Sequence, residues 1–359
     1  MRVVLLANAA SVHTQRWASA LASRGFDVHV VSIREFTIPE VQVHRVGVGR
    51  PDRKTPLRAL LSYGRLLLRS KRLIAEIDPD VINAHYSITH GAIAVIRRLH
   101  PVVLTVWGSD VVRGNRVVRG PKRWLNRFVL RRVDGITASS EFLAQGVRSI
   151  VGESVLIHDV PFGVDTTVFH PGRTGSGDFT IGFIKHLEAL YDPGTLIEAF
   201  AAIAPRVPDA RLVMAGGGSL QGGLSRRISA LGLNDRVDLL GAVPHSVVPD
   251  LMRTFDVLVN PSRSESFGAV IIEASATGIP VIVARVGGVL ETVVDGETGL
   301  LVEPGDVAAL TAALLRIAED PDKRRALGAS GRSFVLSRFE FTQCVDSMVD
   351  VLRGVARDG

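Results

Sequence analysis

The sequence predicts two doubly wound α/β domains, each a parallel sheet covered on both faces. Three observations predict it. Short apolar runs alternate with longer amphipathic segments along most of the chain, the pattern of successive strand–helix–strand units. That alternation breaks at a proline- and glycine-rich stretch between Pro161 and Gly177, which reads as a linker. Charge divides at the same place: residues 1–176 hold 25 Lys/Arg against 13 Asp/Glu, and residues 177–359 hold 17 against 23. The net +6 therefore joins a basic half at +12 to an acidic half at −6, as expected of two domains facing different partners.

At 359 residues, 46% of them hydrophobic, the chain can bury two substantial cores. The single Cys344 excludes an internal disulfide and fits a reducing compartment. The apolar run Val3 to Ala10 is short, lacks a proper basic leader and continues into Ser11-Val12-His13-Thr14-Gln15-Arg16-Trp17 instead of a cleavage site. No uninterrupted apolar run is long enough to span a bilayer, so the expectation is a cytoplasmic protein, soluble or peripheral at the inner face of the membrane.

Taken in order, Arg2 to Leu6 is a strand, His13 to Ser23 an amphipathic helix ended by Gly25, and Phe26 to Ser32 the next strand. A basic helix from about Pro56 to Ile77 follows, then strand Val81 to Ala84, helix Thr89 to Leu99 and strand Val102 to Val106. A second basic helix spans about Pro121 to Val133, before strand Gly135 to Ala138, helix Glu141 to Ser149 and strand Val155 to His158. The second series starts at Phe179 and runs to about Ser337, and a last helix covers about Phe341 to Arg357.

The stretch most loaded with chemistry is Pro261-Ser262-Arg263-Ser264-Glu265-Ser266-Phe267-Gly268-Ala269-Val270-Ile271-Ile272-Glu273-Ala274. A buried strand, Asp256 to Asn260, leads into a small-residue loop that opens into a helix from Ala269 to Thr277, stopped by Gly278. The unpaired N–H groups and partial positive charge of a helix start suit a diphosphate. Glu265 stands before that helix and Glu273 eight residues later within it. Beside an anion, the two carboxylates make sense as acceptors for sugar and ribose hydroxyls; the plain alternatives are a helix cap and a solvated helix residue. Gly216-Gly217-Gly218, after strand Leu212 to Ala215, is a second turn through which a backbone can approach a phosphate, or simply a tight turn.

The stretch resembles the E-x7-E signature of the retaining GT-B glycosyltransferases, in the large family 4 group also called glycosyl transferases group 1. The likeness continues through Ala276-Thr277-Gly278-Ile279-Pro280-Val281-Ile282 and Gly287-Gly288 to Asp295-Gly296-Glu297-Thr298-Gly299-Leu300-Leu301-Val302. It implies a GT-B fold, two Rossmann-like domains with an inter-domain cleft. Residues 1–164, with a C-terminal helix 340–359 packed back on them, would bind the acceptor, and residues 165–339 the nucleotide-sugar donor. The first Glu of the signature, here Glu265, would contact the donor sugar and the second, Glu273, the ribose. Gly216, Gly217, Gly218, Ser266, Phe267 and Gly268 would hold the diphosphate, and Leu240-Gly241-Ala242-Val243 would lie along the base. No metal and no cofactor are implied. Asp78-Pro79-Asp80 imitates an Asp-x-Asp metal site, but it lies at the amino end of its strand, the wrong edge for a ligand.

The chain departs from that pattern twice. In Gly182-Phe183-Ile184-Lys185-His186-Leu187-Glu188-Ala189-Leu190-Tyr191-Asp192-Pro193-Gly194 the family carries two cations for the leaving diphosphate. Lys185 serves as the first; Leu190, Tyr191 and Pro193 occupy the places of the second, and His186 is either a substitute or a packed surface residue. In Leu104-Thr105-Val106-Trp107-Gly108-Ser109-Asp110, Trp107 stands where many relatives have His, so a polar role passes to Asp110, His13 or His85, with Asn8 and Trp107 on the acceptor side. For Asp110 a helix cap, and for His85 a buried strand-end residue, explain the sequence equally well.

Arg113, Arg116, Arg119, Lys122, Arg123, Arg127, Arg131 and Arg132 are interleaved with Trp124, Phe128 and aliphatic residues, and a second basic series runs through 50–72. Solvated helix faces would look the same, but a basic segment bearing Trp fits an anionic membrane surface, and no base-stacking or groove-reading motif supports nucleic acid. The expected activity is retaining transfer of a sugar from a nucleotide diphosphate sugar to a hydroxyl of a lipid-linked or polysaccharide acceptor. The competing class is a catalytically weak or inactive nucleotide-sugar binder that lost the second cation.

Overall fold

The computed structural model describes residues 1–46, 56–96, 100–114, 116–172 and 177–358. The chain forms two compact units, Met1–Pro161 together with the chain from Cys344 on, and Phe162–Gln343. The boundary thus lies three residues before the 164/165 expected from sequence. The backbone gives the reason: Val164 is bridged to Glu340 and accepts from the Phe341 N–H, while Phe162 packs on Phe267.

The first unit consists of β1 (Arg2–Leu6), α1 (Val12–Ser23), β2 (Asp27–Ser32), β3 (Gln42–Arg45), α2 (Pro56–Ile77), β4 (Val81–His85), α3 (Ala92–Val95), β5 (Val102–Val106), the hairpin β6 (Val112–Arg113) and β7 (Arg116–Val117), α4 (Pro121–Leu130), β8 (Gly135–Ala138), α5 (Glu141–Val151) and β9 (His158–Asp159). Among the described residues its main sheet has the order β3-β2-β1-β4-β5-β8-β9, and every pair is parallel. Valine-rich strands buried on both faces, such as Val102–Val106, are what such a sheet requires. Strand order reverses between β1 and β4, so the crevice at their carboxyl ends is the expected ligand position.

The second unit consists of β10 (Thr180–Ile184), α6 (Pro193–Ile203), β11 (Arg211–Ala215), α7 (Gln221–Ala230), β12 (Val237–Gly241), α8 (Val248–Met252), β13 (Val257–Asn260), α9 (Ala269–Ala276), β14 (Val281–Ala284), β15 (Leu300–Val302), α10 (Val307–Glu319) and α11 (Pro321–Arg338). Its sheet runs β12-β11-β10-β13-β14-β15, again parallel, with the order reversing between β10 and β13. Phe183, Leu196, Phe200 and Leu314, all fully buried, anchor its core. Each such side chain stabilises the fold by roughly 1.5–3 kcal/mol relative to exposure. The last helix, α12 (Phe341–Asp358), packs on the first unit: Arg24 bonds Asp346, and Val351 and Val355 close over Gly135.

Local departures from the sequence reading have local causes. The helix expected over 89–99 is instead a π-helical turn, Tyr86–Gly91, followed by the single turn of α3; residues 97–99 lie outside the described residues. The widened turn starts at Tyr86, held at φ 68°, and is tied by the His90 Nδ1–H donating to the His85 carbonyl at 2.7 Å. The strand expected over 155–158 shifts to His158–Asp159, where Thr137 and Ala138 pair with it. Strand β3 was not expected, because an edge strand of alternating polar residues shows no apolar run. Asp78 and Asp80 serve the amino edge of the sheet: Asp80 accepts from the Arg2 amide and the Asp78 carbonyl from its guanidinium.

Candidate active site

In the second unit, Lys185 follows β10 and the 261–268 loop follows β13, so both stand at the carboxyl edge where the strand order reverses. Lys185 Nζ lies 2.7 Å from Glu265 Oε2, and both side chains are largely buried, at 18% and 12% exposed. The candidate cation and the candidate sugar carboxylate therefore meet, although 80 residues separate them. A Glu capping its own helix is not what is seen: Gly268, at φ 89°, is the N-cap of α9, and no side chain caps that helix. Helices α5, α10 and α11 are by contrast capped by Ser140, Asp306 and Asp320. The first turn of α9 so keeps N–H groups for an anion.

Glu273 is not a solvated helix residue. It is 6% exposed, within a helix whose Val270 to Ala276 are all buried. His245 approaches it, Nε2 to Oε1 at 3.4 Å.

The glycine turn has a packing reason. A Cβ on Gly216 would fall 1.9 Å from the Lys185 carbonyl oxygen and one on Gly218 2.3 Å from that of Leu187. These glycines let the β11–α7 turn lie on the Lys185–Leu187 backbone, where the Leu187 N–H donates to the Gly217 carbonyl. The start of α7 is met by protein: Glu188 accepts from the Ser219 N–H at 2.7 Å and from its hydroxyl at 2.5 Å, bonds that hold its pKa below the usual carboxylate range. Gly216 N–H donates to the Gly241 carbonyl at 2.7 Å, which brings the half-buried Val243 and its neighbours beside the glycine turn. Leu240, skipped in the β11–β12 register, bulges out 47% exposed.

The Phe267 side chain is 1% exposed and packs between Phe162 and Phe339, centroids 5.6 Å from each, so what the residue offers at the start of α9 is its backbone. The places of the second cation are likewise defined: the Tyr191 ring lies 5.3 Å from Lys185 Nζ, Pro193 opens α6 and Leu190 is 44% exposed. His186 is exposed, 6.3 Å from Tyr191. A cation missed from sequence stands nearby: Arg263 bonds the Leu190 carbonyl through its N–H at 2.8 Å, and its guanidinium pairs with Asp192 at 2.8 Å.

In the first unit, Asn8, His13, His85 and Trp107 gather at the carboxyl ends of β1, β4 and β5. Trp107, 8% exposed, is the hub: His85 lies 4.6 Å, His13 5.2 Å and Tyr86 5.8 Å from it, centroid to centroid. Asn8 is exposed, its side chain accepting from the Ala10 N–H. His85 is 2% exposed and donates from Nε2 to Asn83 Oδ1 at 3.0 Å; Asn83 in turn donates to Thr105. Burial, aided by His90 and His13, lowers its pKa to about 3, so it stands neutral near neutral pH. Asp110 caps no following helix. It accepts from the Ser87 and Gly108 N–H groups at 2.9 and 3.1 Å, and burial raises its pKa against those bonds. That geometry makes it a staple between the π-turn and the β5 loop. Tyr86, strained and 36% exposed, was missed; a polar strand-end residue beside His85 was its only signal.

Trp124 is 70% exposed on α4 and stacks on Phe128, over which Arg132 sits at 3.9 Å. Arg123 and Arg127 are engaged with the Ser149 and Ile150 carbonyls at the end of α5. Residues 50–55 of the other basic series, and the side chains of Arg58 and Arg113, lie outside the described residues. No helix among the described residues is long and apolar enough to cross a membrane.

The model of the family "Glycosyl transferases group 1" matches residues 166–334, and "Glycosyl transferase 4-like" matches 2–140. A GDP-mannose-dependent alpha-(1-6)-phosphatidylinositol monomannoside mannosyltransferase of Mycolicibacterium smegmatis is 30% identical over 83% of this chain and 83% of its own. A D-inositol 3-phosphate glycosyltransferase of Arthrobacter is 31% identical over 89% and 83%. An N-acetyl-alpha-D-glucosaminyl L-malate synthase of Bacillus anthracis is 27% identical over 94% and 92%. In fold the chain is similar to a sucrose-phosphate synthase from Thermosynechococcus elongatus, TM-score 0.87 at 22% identity over the whole of both chains. It is similar too to Anabaena HepE in complex with UDP-glucose, TM-score 0.82 at 20% identity over 99% and 100%. With a carboxylate–lysine pair at the strand-order reversal of the second unit, and with these matches along both halves, this chain belongs to the group 1 glycosyltransferases and is a glycosyltransferase.

Proposed function

We propose that the enzyme moves a sugar from a nucleotide diphosphate sugar, with retention at the anomeric carbon, to a hydroxyl of an anionic, lipid-linked acceptor. The observation that carries the donor half is the Lys185–Glu265 pair beside the uncapped start of α9. Lys185 and the α9 N–H groups hold the diphosphate, Glu265 accepts from sugar hydroxyls and Glu273 from the ribose. The C1–phosphate bond breaks as the acceptor oxygen bonds C1 on the same face, and the acceptor proton passes to the leaving phosphate oxygen. No protein nucleophile is needed, and the charge comes from Lys185 and the helix, so EDTA leaves the rate unchanged. For the acceptor, the relatives' names specify a phosphatidylinositol monomannoside, an inositol phosphate and malate, all anionic. The +12 charge of residues 1–176 supports an anionic acceptor here. Lys122 and Trp124 on α4, with Arg131 just past its end, would set the enzyme on an anionic membrane surface at the cytoplasmic face.

A second reading, a binder with little turnover, is favoured by one observation: Tyr191 and Leu190 in place of the second cation. Thermal shift with UDP, GDP and ADP, followed by transfer assays from the matching sugar nucleotides, separates the two. A nucleotide at 100 times its Kd should stabilise the protein by about 2.7 kcal/mol. Stabilisation without transfer or hydrolysis selects the binder; no stabilisation by any of the three rejects both.

A further inference from the structure

We infer that His245 is a positioning residue for Glu273, fixing the carboxylate that meets the ribose of the donor nucleotide. The inference rests on the donor-site reading of Glu273. That carboxylate lies inside α9 between Ile272 and Ala274, both wholly buried, with its side chain 8% exposed. A carboxylate so enclosed holds one rotamer only if a polar group meets it. The polar group the structure places at it is His245, whose Nε2 stands 3.4 Å from Oε1.

His245 opens the one-turn helix His245–Val247, just after the Leu240–Val243 loop beside the glycine turn. Its own position is held from the far side. Phe169, 2% exposed and belonging to the segment that follows Pro161, meets the imidazole edge-on, centroids 6.0 Å apart at 88°. Three separate stretches of chain thus converge to aim one carboxylate. An imidazole standing at Oε1 leaves Oε2 for ribose hydroxyls, which are donors. A neutral imidazole serves as well as an imidazolium, so the role needs no proton transfer.

The test is calorimetric titration of UDP and GDP, each in its ribose and 2′,3′-dideoxy form, into the parent, His245→Ala, His245→Gln, Glu273→Ala and the His245/Glu273 double alanine variant. For whichever ribonucleotide the parent binds, His245→Ala should weaken binding about tenfold, the loss of one charge-assisted hydrogen bond. His245→Gln should restore most of it through its amide N–H. The double variant should bind no more weakly than Glu273→Ala, and the dideoxynucleotide should bind all five proteins alike. Full affinity in His245→Ala with loss in Glu273→Ala overturns the inference and leaves the donor site standing. Equal weakening of ribose and dideoxy forms by His245→Ala also overturns it, since the residue would then be supporting the fold. Full affinity in Glu273→Ala overturns the donor-site reading itself.

Discussion

The carboxyl edges of the two sheets solve the same topological problem with opposite chemistry. In the second unit the residues at the strand-order reversal are charged and paired, Lys185 with Glu265 and Arg263 with Asp192, and His245 approaches Glu273 beside them. In the first unit they are mostly aromatic, with His85 buried and kept neutral beside Trp107 and Asp110 spent on backbone N–H groups. On the proposed donor reading, a diphosphate needs countercharge that exists before it binds, and the Lys185–Glu265 pair stores it largely buried. On the proposed reading of this end of the first unit, a hydroxyl acceptor needs shape and an apolar wall, which packed rings would supply. Basic side chains of the first half are exposed on α4, as at Lys122 and Arg127, where they can attract an anionic acceptor or surface.

The sharpest way to break this contrast is to remove the stored charge. Lys185→Ala should lower transfer by roughly 10²–10³-fold, about 3–4 kcal/mol, with a much smaller change in overall stability. Glu265→Gln should also abolish most transfer, but it frees Lys185 from its carboxylate, so affinity for the free nucleoside diphosphate should hold or rise. Steady-state kinetics beside product titration checks both. Weaker product binding in Glu265→Gln would mean that the pair shapes the loop instead of competing with phosphate.

How much of this was legible in the sequence follows the same division. The strands and helices carry strong periodic signals, and the β13–loop–α9 stretch announced itself through small residues, two glutamates and Gly278. The Lys185–Glu265 pairing was not legible from spacing, because only the β10–β13 neighbour relation brings the residues together. Phe267 read as a ligand contact because it stands in the loop; its burial depends on Phe162 and Phe339, distant in sequence. Asp110 read as a catalytic candidate because a strand-end carboxylate has no visible partner until Ser87 turns back to it through a π-turn that no periodicity marks. His245 lay two residues past a loop already singled out, and only the fold brings Glu273 beneath it.

The next effect is on stability in acid, and it should belong to the first unit. His85 has a folded pKa of about 3 against an ordinary 6.5, so below pH 6.5 the unfolded chain binds a proton that the folded one refuses. Stability attributable to neutral His85 is then present above 6.5 and lost as pH falls toward 3, reaching about 3 kcal/mol by pH 4 on an order-of-magnitude basis. His90 and His44, also lowered by burial, act in the same direction. Asp110, whose pKa is raised, binds its proton earlier in the folded state and offsets part of the loss at the acid end. His85→Asn should flatten the unfolding midpoint between pH 6.5 and 4 relative to the parent; an unchanged slope would remove His85 from the account.

The smallest expected effect concerns α4, and here the structure decides which residues to change. Replacing Arg123 or Arg127 would strip the carbonyls at the end of α5 of their partners and mix a structural loss into any binding result. Lys122 and Arg131 are exposed at the two ends of the helix that carries the 70% exposed Trp124, and are the cleaner probes. At about 1 kcal/mol for each basic residue near an anionic surface, Lys122→Ser with Arg131→Ser should cost about 2 kcal/mol, or roughly thirtyfold in partitioning to phosphatidylserine vesicles. That loss should shrink at 1 M salt, where the Debye length falls to ~3 Å, whereas the loss from Trp124→Ser should persist because it is apolar. Activity on a water-soluble acceptor should survive both changes, since neither touches the Trp107 hub or the Lys185–Glu265 pair. Equal partitioning of parent and double variant would leave α4 as a solvated face, and the aromatic hub would then stand as the first unit's whole contribution to acceptor binding.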